Sequence, residues 1–231
     1  MNDDAPAPGT ALRRPFRVLC VCEGNICRSP VAAVLLREAL GAGVEVGSAG
    51  TGAVVGAPVA PPMRALLLGR GLDPDGFAAR QLEAEHLRRA DLVLTMTTPQ
   101  RGAAVSLVPG VVRRTFTVRE LARLLDAVDP ATLPAGPVAD RLRAALPVAA
   151  ARRRYVVDPR ADDIADPYGR HDTAYRRAFD EVVDAVDRIS RVVAPDGTAQ
   201  SPDRATAGSR AAGGENDAGG TTERDAASTS T

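Results

Sequence analysis

The sequence predicts an α/β fold, a single-domain doubly wound sheet of about four parallel strands flanked by helices. Short apolar runs rich in β-branched residues alternate along the chain with segments whose apolar residues recur at helical spacing. Buried parallel strands have such continuous apolar runs, and strands that alternate with helices form a parallel sheet covered on both faces. The predicted strands span 16–21, 44–48, 92–96 and 111–116.

Helices are predicted between and after these strands. Pro30 suits the first turn of a helix over 31–40, where its missing N–H costs nothing. A glycine- and proline-rich loop over 49–62 follows the second strand. Asp172 or Thr173 can cap the final helix, whose apolar residues form one stripe. The remaining helices are predicted over 63–69, 82–89, 118–128 and 172–193.

The 231 residues suffice for one such domain with tails. We place the domain at 15–193 and predict disordered tails at 1–14 and 194–231, whose polar and small residues bury too little surface to offset ordering entropy. The Pro/Ala-rich segment 129–154 is predicted to be a solvated surface insertion with a short helix over 139–145. A rim element that contacts a protein substrate or an anionic partner is the alternative.

Composition excludes several classes of function. Acidic and basic residues balance at a formal net charge of zero, which argues against nucleic-acid binding. The three cysteines lie within eight residues, an arrangement unsuited to a secreted disulfide framework or to zinc, so we predict neither metal nor cofactor. We find no apolar stretch long enough to span a membrane and no signal pattern, and therefore expect a cytoplasmic protein.

The chemistry is concentrated in residues 22–29, CEGNICRS, between the first strand and the first helix. Backbone N–H groups in such a turn meet the positive end of the helix dipole and form a cradle for a phosphate dianion. Arg28 can add two donors to the phosphate oxygens, and the same field stabilises a thiolate on Cys22. In-line attack by that thiolate gives a phosphocysteine intermediate. A buried structural cysteine is the alternative. The other predicted substrate-binding residues of the loop are Glu23, Gly24, Asn25, Ile26, Cys27 and Ser29.

The leaving group needs a proton, and Asp166 is the candidate donor. It begins the sequence Asp166-Pro167-Tyr168, just before the last predicted helix, where Pro167 disfavours helix at Asp166. Tyr168 can stack on an aromatic leaving group and is a further predicted substrate-binding residue. Taken alone, this tripeptide is a weak signal.

These motifs together resemble the bacterial branch of the low-molecular-weight protein tyrosine phosphatases. The resemblance covers roughly 15–193. The matching segments are VLCVCEGNICRSP at 18–30, SAGT at 48–51, RALLLGRGLD at 64–73, ARQL at 79–82, ADLVLTM at 90–96 and DPYGRHDTAYRRAFDEV at 166–182.

The resemblance implies phosphotyrosine hydrolysis without a cofactor. Cys22 is the implied nucleophile, Arg28 the phosphate clamp, and Asp166 the general acid that later acts as a base on water. The implied partner is a phosphotyrosine protein, a bacterial tyrosine kinase among the candidates, and we expect a monomer.

Supporting roles in the loop are implied in the same way. Ser29 is expected to hydrogen-bond the Cys22 thiolate, and Asn25 to brace the loop with Ser48 as its partner. Cys27 is the family's second loop cysteine, which can form a reversible disulfide with Cys22 and protect it from over-oxidation.

Two other functions stay open at this point. A thioredoxin-coupled arsenate reductase of similar fold needs two further cysteines downstream, and the sequence has none after Cys27. A non-catalytic phosphotyrosine-binding module is favoured only by departures from the family pattern. These are Phe77 in place of a histidine, Thr97 in place of an aspartate, and the acidic Glu23 next to the nucleophile.

Overall fold

The computed structural model describes residues 14–153 and 158–194. The predicted tails therefore lie almost entirely outside the described residues. Four parallel strands form one sheet in the order β2-β1-β3-β4, which confirms the predicted fold class. The strands are β1 (Phe16–Cys22), β2 (Val44–Gly50), β3 (Leu92–Thr95) and β4 (Thr115–Thr117).

Helices cover both faces of this sheet. Successive residues of β1 point to opposite faces, so Val18 and Cys20 join a large core while Leu19 and Val21 join a smaller one. The large core also holds side chains of α1, α2, α5, α6 and α7, and the smaller one those of α3 and α4. The helices are α1 (Arg28–Leu40), α2 (Pro61–Leu68), α3 (Ala84–Arg89), α4 (Thr98–Leu107), α5 (Val118–Leu125), α6 (Val138–Arg152) and α7 (Asp172–Val193).

The fourth strand is shorter than predicted and begins later. A 3₁₀ helix occupies Pro109–Arg114, where the apolar pattern had suggested most of a strand, and only Thr115–Thr117 pairs with β3. Val111 is buried in the smaller core from this 3₁₀ turn. Tertiary packing therefore buries apolar residues of this segment without an extended backbone. Helix α4 was not predicted, because it buries only two of its residues and so lacks an apolar stripe.

The predicted insertion 129–154 contains a longer helix than the one expected over 139–145. Helix α6 within it has 15 residues and buries one face. Arg141, also buried, donates hydrogen bonds to the carbonyls of Val192 and Val193 at the end of α7. It binds the carbonyls of Pro130 and Pro134 as well. A buried guanidinium with several carbonyl partners ties the segment to the domain.

Within the described part of the chain, none of the helices has both the length and the apolar content that a bilayer crossing requires.

Candidate active site

The loop 23–27 lies at the carboxyl end of β1, which runs between β2 and β3, and leads directly into α1. In open parallel sheets, ligands bind beyond the carboxyl ends of the strands. The loop carbonyls are held on their outer side by the segment after β2. Amides of Thr51, Gly52, Val54 and Ala60 donate to the carbonyls of residues 22, 23, 24 and 26 at 2.8 to 3.1 Å. Because these carbonyls are engaged outside the loop, we infer that its amides face the concave side.

Gly50, the last residue of β2, makes this close approach possible. A Cβ atom at this position would collide with the backbone carbonyl oxygen of Glu23 and press on Asn25. Asn25 itself has φ of 55°, a left-handed conformation that asparagine tolerates better than most residues. The loop therefore depends on these two positions for its shape.

A buried hydrogen-bond network holds Asn25 in that conformation. Its Nδ2 donates to the hydroxyls of Ser29 and Ser48, both at 2.9 Å, and its Oδ1 accepts from the backbone N–H of Arg80 at 2.9 Å. The bracing expected from Asn25 and Ser48 is thus present without the family's histidine. Phe77, which stands in its place, packs against the core.

Cys22 is buried beneath the loop, and its Sγ lies 2.9 Å from the Ser29 hydroxyl oxygen. Since that oxygen already accepts a hydrogen bond from Asn25, the Ser29 hydroxyl hydrogen is free to point at the sulfur. The Ser29 hydroxyl is therefore placed to donate a hydrogen bond to the Cys22 sulfur.

Arg28 contacts the segment 162–171, which carries the candidate acid Asp166 and is called the acid loop below. Its guanidinium is only 2% exposed; Nη1 donates to the carbonyl of Ile164 at 2.9 Å and Nη2 forms an ion pair with Asp166. The fold thereby joins residues 138 positions apart in the sequence. The buried Nε of Arg28 has no hydrogen-bond partner among the described residues, which leaves it as a donor for an oxyanion.

The remaining predicted substrate-binding residues lie in the loop 23–27 or beside Asp166. Tyr168 is 64% exposed and its N–H donates to Asp166 Oδ1 at 3.1 Å, while Ile26 is buried and Glu23 exposed. Sequence analysis missed Val54, which is half-exposed next to Gly24. Because Val54 lies in an irregular loop, no periodic pattern in the sequence indicated that it is close to the cradle.

Burial sets the state of the other two cysteines. Desolvation, helped by the neighbouring Cys22, raises the pKa of the Cys27 thiol to about 12. Burial also raises the pKa of Cys20, which points into the large core from β1. Both groups therefore stay protonated at neutral pH.

Comparisons with known proteins agree with this geometry. The family model described as "Low molecular weight phosphotyrosine protein phosphatase" matches residues 17–133. The chain belongs to this family, and it is a protein phosphatase, as the sequence predicted.

Individual relatives differ in substrate. The chain is 31% identical over 176 residues to a protein-arginine-phosphatase of Geobacillus stearothermophilus, covering 76% of this chain and 95% of the relative. It is 40% identical over 113 residues to the probable low molecular weight protein-tyrosine-phosphatase EpsP of Ralstonia nicotianae, covering 49% and 77%.

Solved structures give the same picture. The YwlE arginine phosphatase from Geobacillus stearothermophilus matches with a TM-score of 0.58 at 31% identity, covering 79% of this chain and 95% of that one. The tyrosine phosphatase Wzb from Escherichia coli K30, in complex with sulphate, has a TM-score of 0.56 at 22% identity, covering 76% and 96%. At that identity the likeness supports the fold alone.

Proposed function

We propose that the chain is a cysteine-dependent protein tyrosine phosphatase with Cys22 as nucleophile, Arg28 as phosphate clamp and Asp166 as general acid and base. The observation that supports this most strongly is the contact of Arg28 with the acid loop. This contact joins the Asp166 carboxylate to the arginine of the loop that follows Cys22, although Arg28 and Asp166 are 138 positions apart in the sequence. A binding module needs no such acid.

The residues present supply each step of a two-step transfer. The loop amides and Arg28 bind the non-bridging oxygens of the phosphate dianion, and the Cys22 thiolate attacks phosphorus in line. The bond from phosphorus to the tyrosine oxygen breaks as Asp166 donates its proton to that oxygen. The Asp166 carboxylate then takes a proton from water, which attacks the phosphocysteine and releases inorganic phosphate and the Cys22 thiolate.

The side chains near the cradle favour an aromatic leaving group. Ile26 and Val54 are apolar, and Tyr168 can stack on a phenol ring. Burying a guanidinium against such side chains without an acceptor is costly. Phosphoarginine is the second candidate substrate, because the relative covered over 95% of its length is a protein-arginine-phosphatase and because Glu23 offers a carboxylate near the entrance.

The test compares one peptide sequence carrying either phosphotyrosine or phosphoarginine, with reduced wild-type enzyme. We expect kcat/KM to be at least about tenfold higher for phosphotyrosine, since apolar contact with a ring contributes roughly 1 to 3 kcal/mol. A higher kcat/KM for the phosphoarginine peptide would instead assign phosphoarginine as the substrate. Binding of phosphotyrosine without release of phosphate would instead support the non-catalytic module.

We further propose that this phosphatase acts in the cytoplasm as a monomer on phosphotyrosine proteins, with an autophosphorylated tyrosine kinase as a candidate partner. The support is an open approach to the cradle. Glu23, Val55 and Tyr168 are all exposed, so a phosphotyrosine carried on a folded protein can enter. Glu23 also suits a substrate with a basic residue beside the phosphotyrosine.

Asp166→Asn is expected to act selectively on poor leaving groups. Asparagine cannot donate the proton, so turnover of phenyl phosphate should fall by about 10² or more, and that of para-nitrophenyl phosphate by much less. The measurement is kcat/KM for a series of aryl phosphates of graded leaving-group pKa, because this ratio reports the step that expels the leaving group, whereas all esters share one phosphocysteine intermediate. Asp180→Asn, at an exposed position of α7, is the control. Equal losses across the series would argue against Asp166 as the acid.

Cys27→Ala is expected to remove recovery from oxidation. Peroxide oxidises the Cys22 thiolate to a sulfenic acid; the Cys27 thiol then attacks that sulfur, releases water and forms a disulfide that a thiol reductant opens. We expect wild type and Cys20→Ala to regain activity after excess peroxide followed by dithiothreitol, and Cys27→Ala to remain inactive through over-oxidation. Recovery that persists in Cys27→Ala would count against this pairing.

A further inference from the structure

Three consecutive residues shortly before Asp166 attach the acid loop to three different parts of the fold. Asp162 binds α5, Asp163 binds the start of α4, and Ile164 binds the end of β3. Asp166 follows two residues later. Contacts outside the cradle therefore help to set the position of Asp166.

The first attachment is an ion pair with two parallel contacts. Arg123 Nη2 lies 2.6 Å from Asp162 Oδ2, and Arg123 Nε lies 3.1 Å from Oδ1. Asp162 is only 7% exposed, and its carbonyl also accepts a hydrogen bond from the Thr117 hydroxyl at 3.3 Å. Hydrogen bonding to Asp162 in turn raises the pKa of Arg123. A buried carboxylate held by a planar fork has little freedom to turn.

The next two attachments continue along the loop. Asp163 Oδ1 accepts from the backbone N–H of Thr98 at 2.6 Å and from its hydroxyl at 2.9 Å. A carboxylate at this helix N-terminus also meets the helix dipole favourably. Ile164 N–H donates to the carbonyl of Met96 at 2.8 Å, and the Ile164 carbonyl accepts from Arg28. The loop thus fixes a partner of the phosphate clamp as well as the acid.

We propose that Arg123 and Asp162 form a positioning pair for catalysis, which sets the acid loop so that Asp166 meets the leaving group and the Ile164 carbonyl orients Arg28. This rests on the proposed phosphatase function. The described hydrogen bonds of Arg123 and Asp162 join the acid loop to α5 and β4 but do not reach residues 22–29, so the pair acts through the loop backbone.

Arg123→Ala and the conservative Arg123→Lys test this proposal. The control is Arg188→Ala on α7, which also breaks an ion pair with α5, at Asp126, but lies outside the acid loop. We expect Arg123→Ala to lower kcat/KM for phenyl phosphate about tenfold or more, because small displacements of catalytic groups are costly, and for para-nitrophenyl phosphate several-fold less. Arg123→Lys should recover part of the loss, and Arg188→Ala should leave the ratio of the two rates unchanged.

Combination with Asp166→Asn separates positioning from general destabilisation. If Arg123 acts through the acid, adding Arg123→Ala to Asp166→Asn should change kcat/KM for phenyl phosphate by less than Arg123→Ala changes it in the wild-type enzyme. Equal losses on both esters with full additivity would overturn the proposal. Thermal unfolding of each variant identifies loss of folding, and if Arg123→Ala does not fold, Arg123→Lys and Asp162→Asn carry the same comparison.

Failure of the proposed function is recognised separately. If wild type hydrolyses neither ester, the phosphatase proposal fails. The effect of the Arg123–Asp162 pair on Arg28 is then measured as the affinity of each variant for orthovanadate. Weaker vanadate binding in Arg123→Ala, with Arg188→Ala unchanged, supports the positioning role. Unchanged affinity in both variants overturns it.

Discussion

Cys22→Ser is expected to abolish turnover of both para-nitrophenyl phosphate and a phosphotyrosine peptide, by about 10⁴-fold or more, as loss of a nucleophile does in other covalent enzymes. Serine preserves the size of the side chain and its distance to Ser29, but its hydroxyl ionises far less readily than a thiol. The measurement is the rate of phosphate release across pH 5 to 8.

Retained ligand binding is the control for this substitution. Because the loop amides and Arg28 are untouched, Cys22→Ser should still bind inorganic phosphate, and its thermal stability should remain close to that of wild type. Activity within tenfold of wild type would contradict a covalent mechanism at Cys22 and would require another nucleophile.

Arg28→Lys is expected to lower kcat/KM by about 10² to 10³-fold, the cost of losing a charge-stabilising donor at a transition state. Lysine keeps the positive charge but loses the planar fork that contacts Ile164 and Asp166 together. The loss should appear in kcat for all esters, because both the clamp and the acid lose their fixed positions.

A second arginine of the same helix provides the matched control. Arg37 lies on α1, is exposed and donates to the carbonyl of Val46, away from the cradle. Arg37→Lys should leave kcat/KM within about twofold of wild type, as surface substitutions usually do. If Arg28→Lys retained more than a third of wild-type kcat/KM, Arg28 could not be the phosphate clamp proposed here.

Local sequence was sufficient for the cradle and most of the sheet. The apolar run before Cys22 and the proline after Ser29 predict a strand and a helix with the loop between them. The same reasoning failed at β4 and α4. There the apolar pattern is weak or ambiguous, and packing against the smaller core decided between strand and 3₁₀ turn.

The family resemblance, by contrast, implied only part of the support of the loop. It gave Ser48 as the partner of Asn25, but the sequence contains no local signal for the contact with Arg80. In the structure the backbone N–H of Arg80 and the hydroxyl of Ser48 complete that network. These partners lie 55 and 23 residues from Asn25, so only the fold brings them together.

The amino-acid sequence alone predicts the α/β class and the phosphate loop at 22–29, because each depends on neighbouring residues or on motifs of fixed spacing. The family resemblance adds Asp166 as the implied acid. Tertiary structure decided how Asp166 reaches the loop. Arg28 contacts Ile164, and Arg123 contacts Asp162, in each case across separate elements. The sequence separation of these partners carries no information about the distance between them. Burial then converts these contacts into fixed geometry, since a desolvated charge must keep its partner.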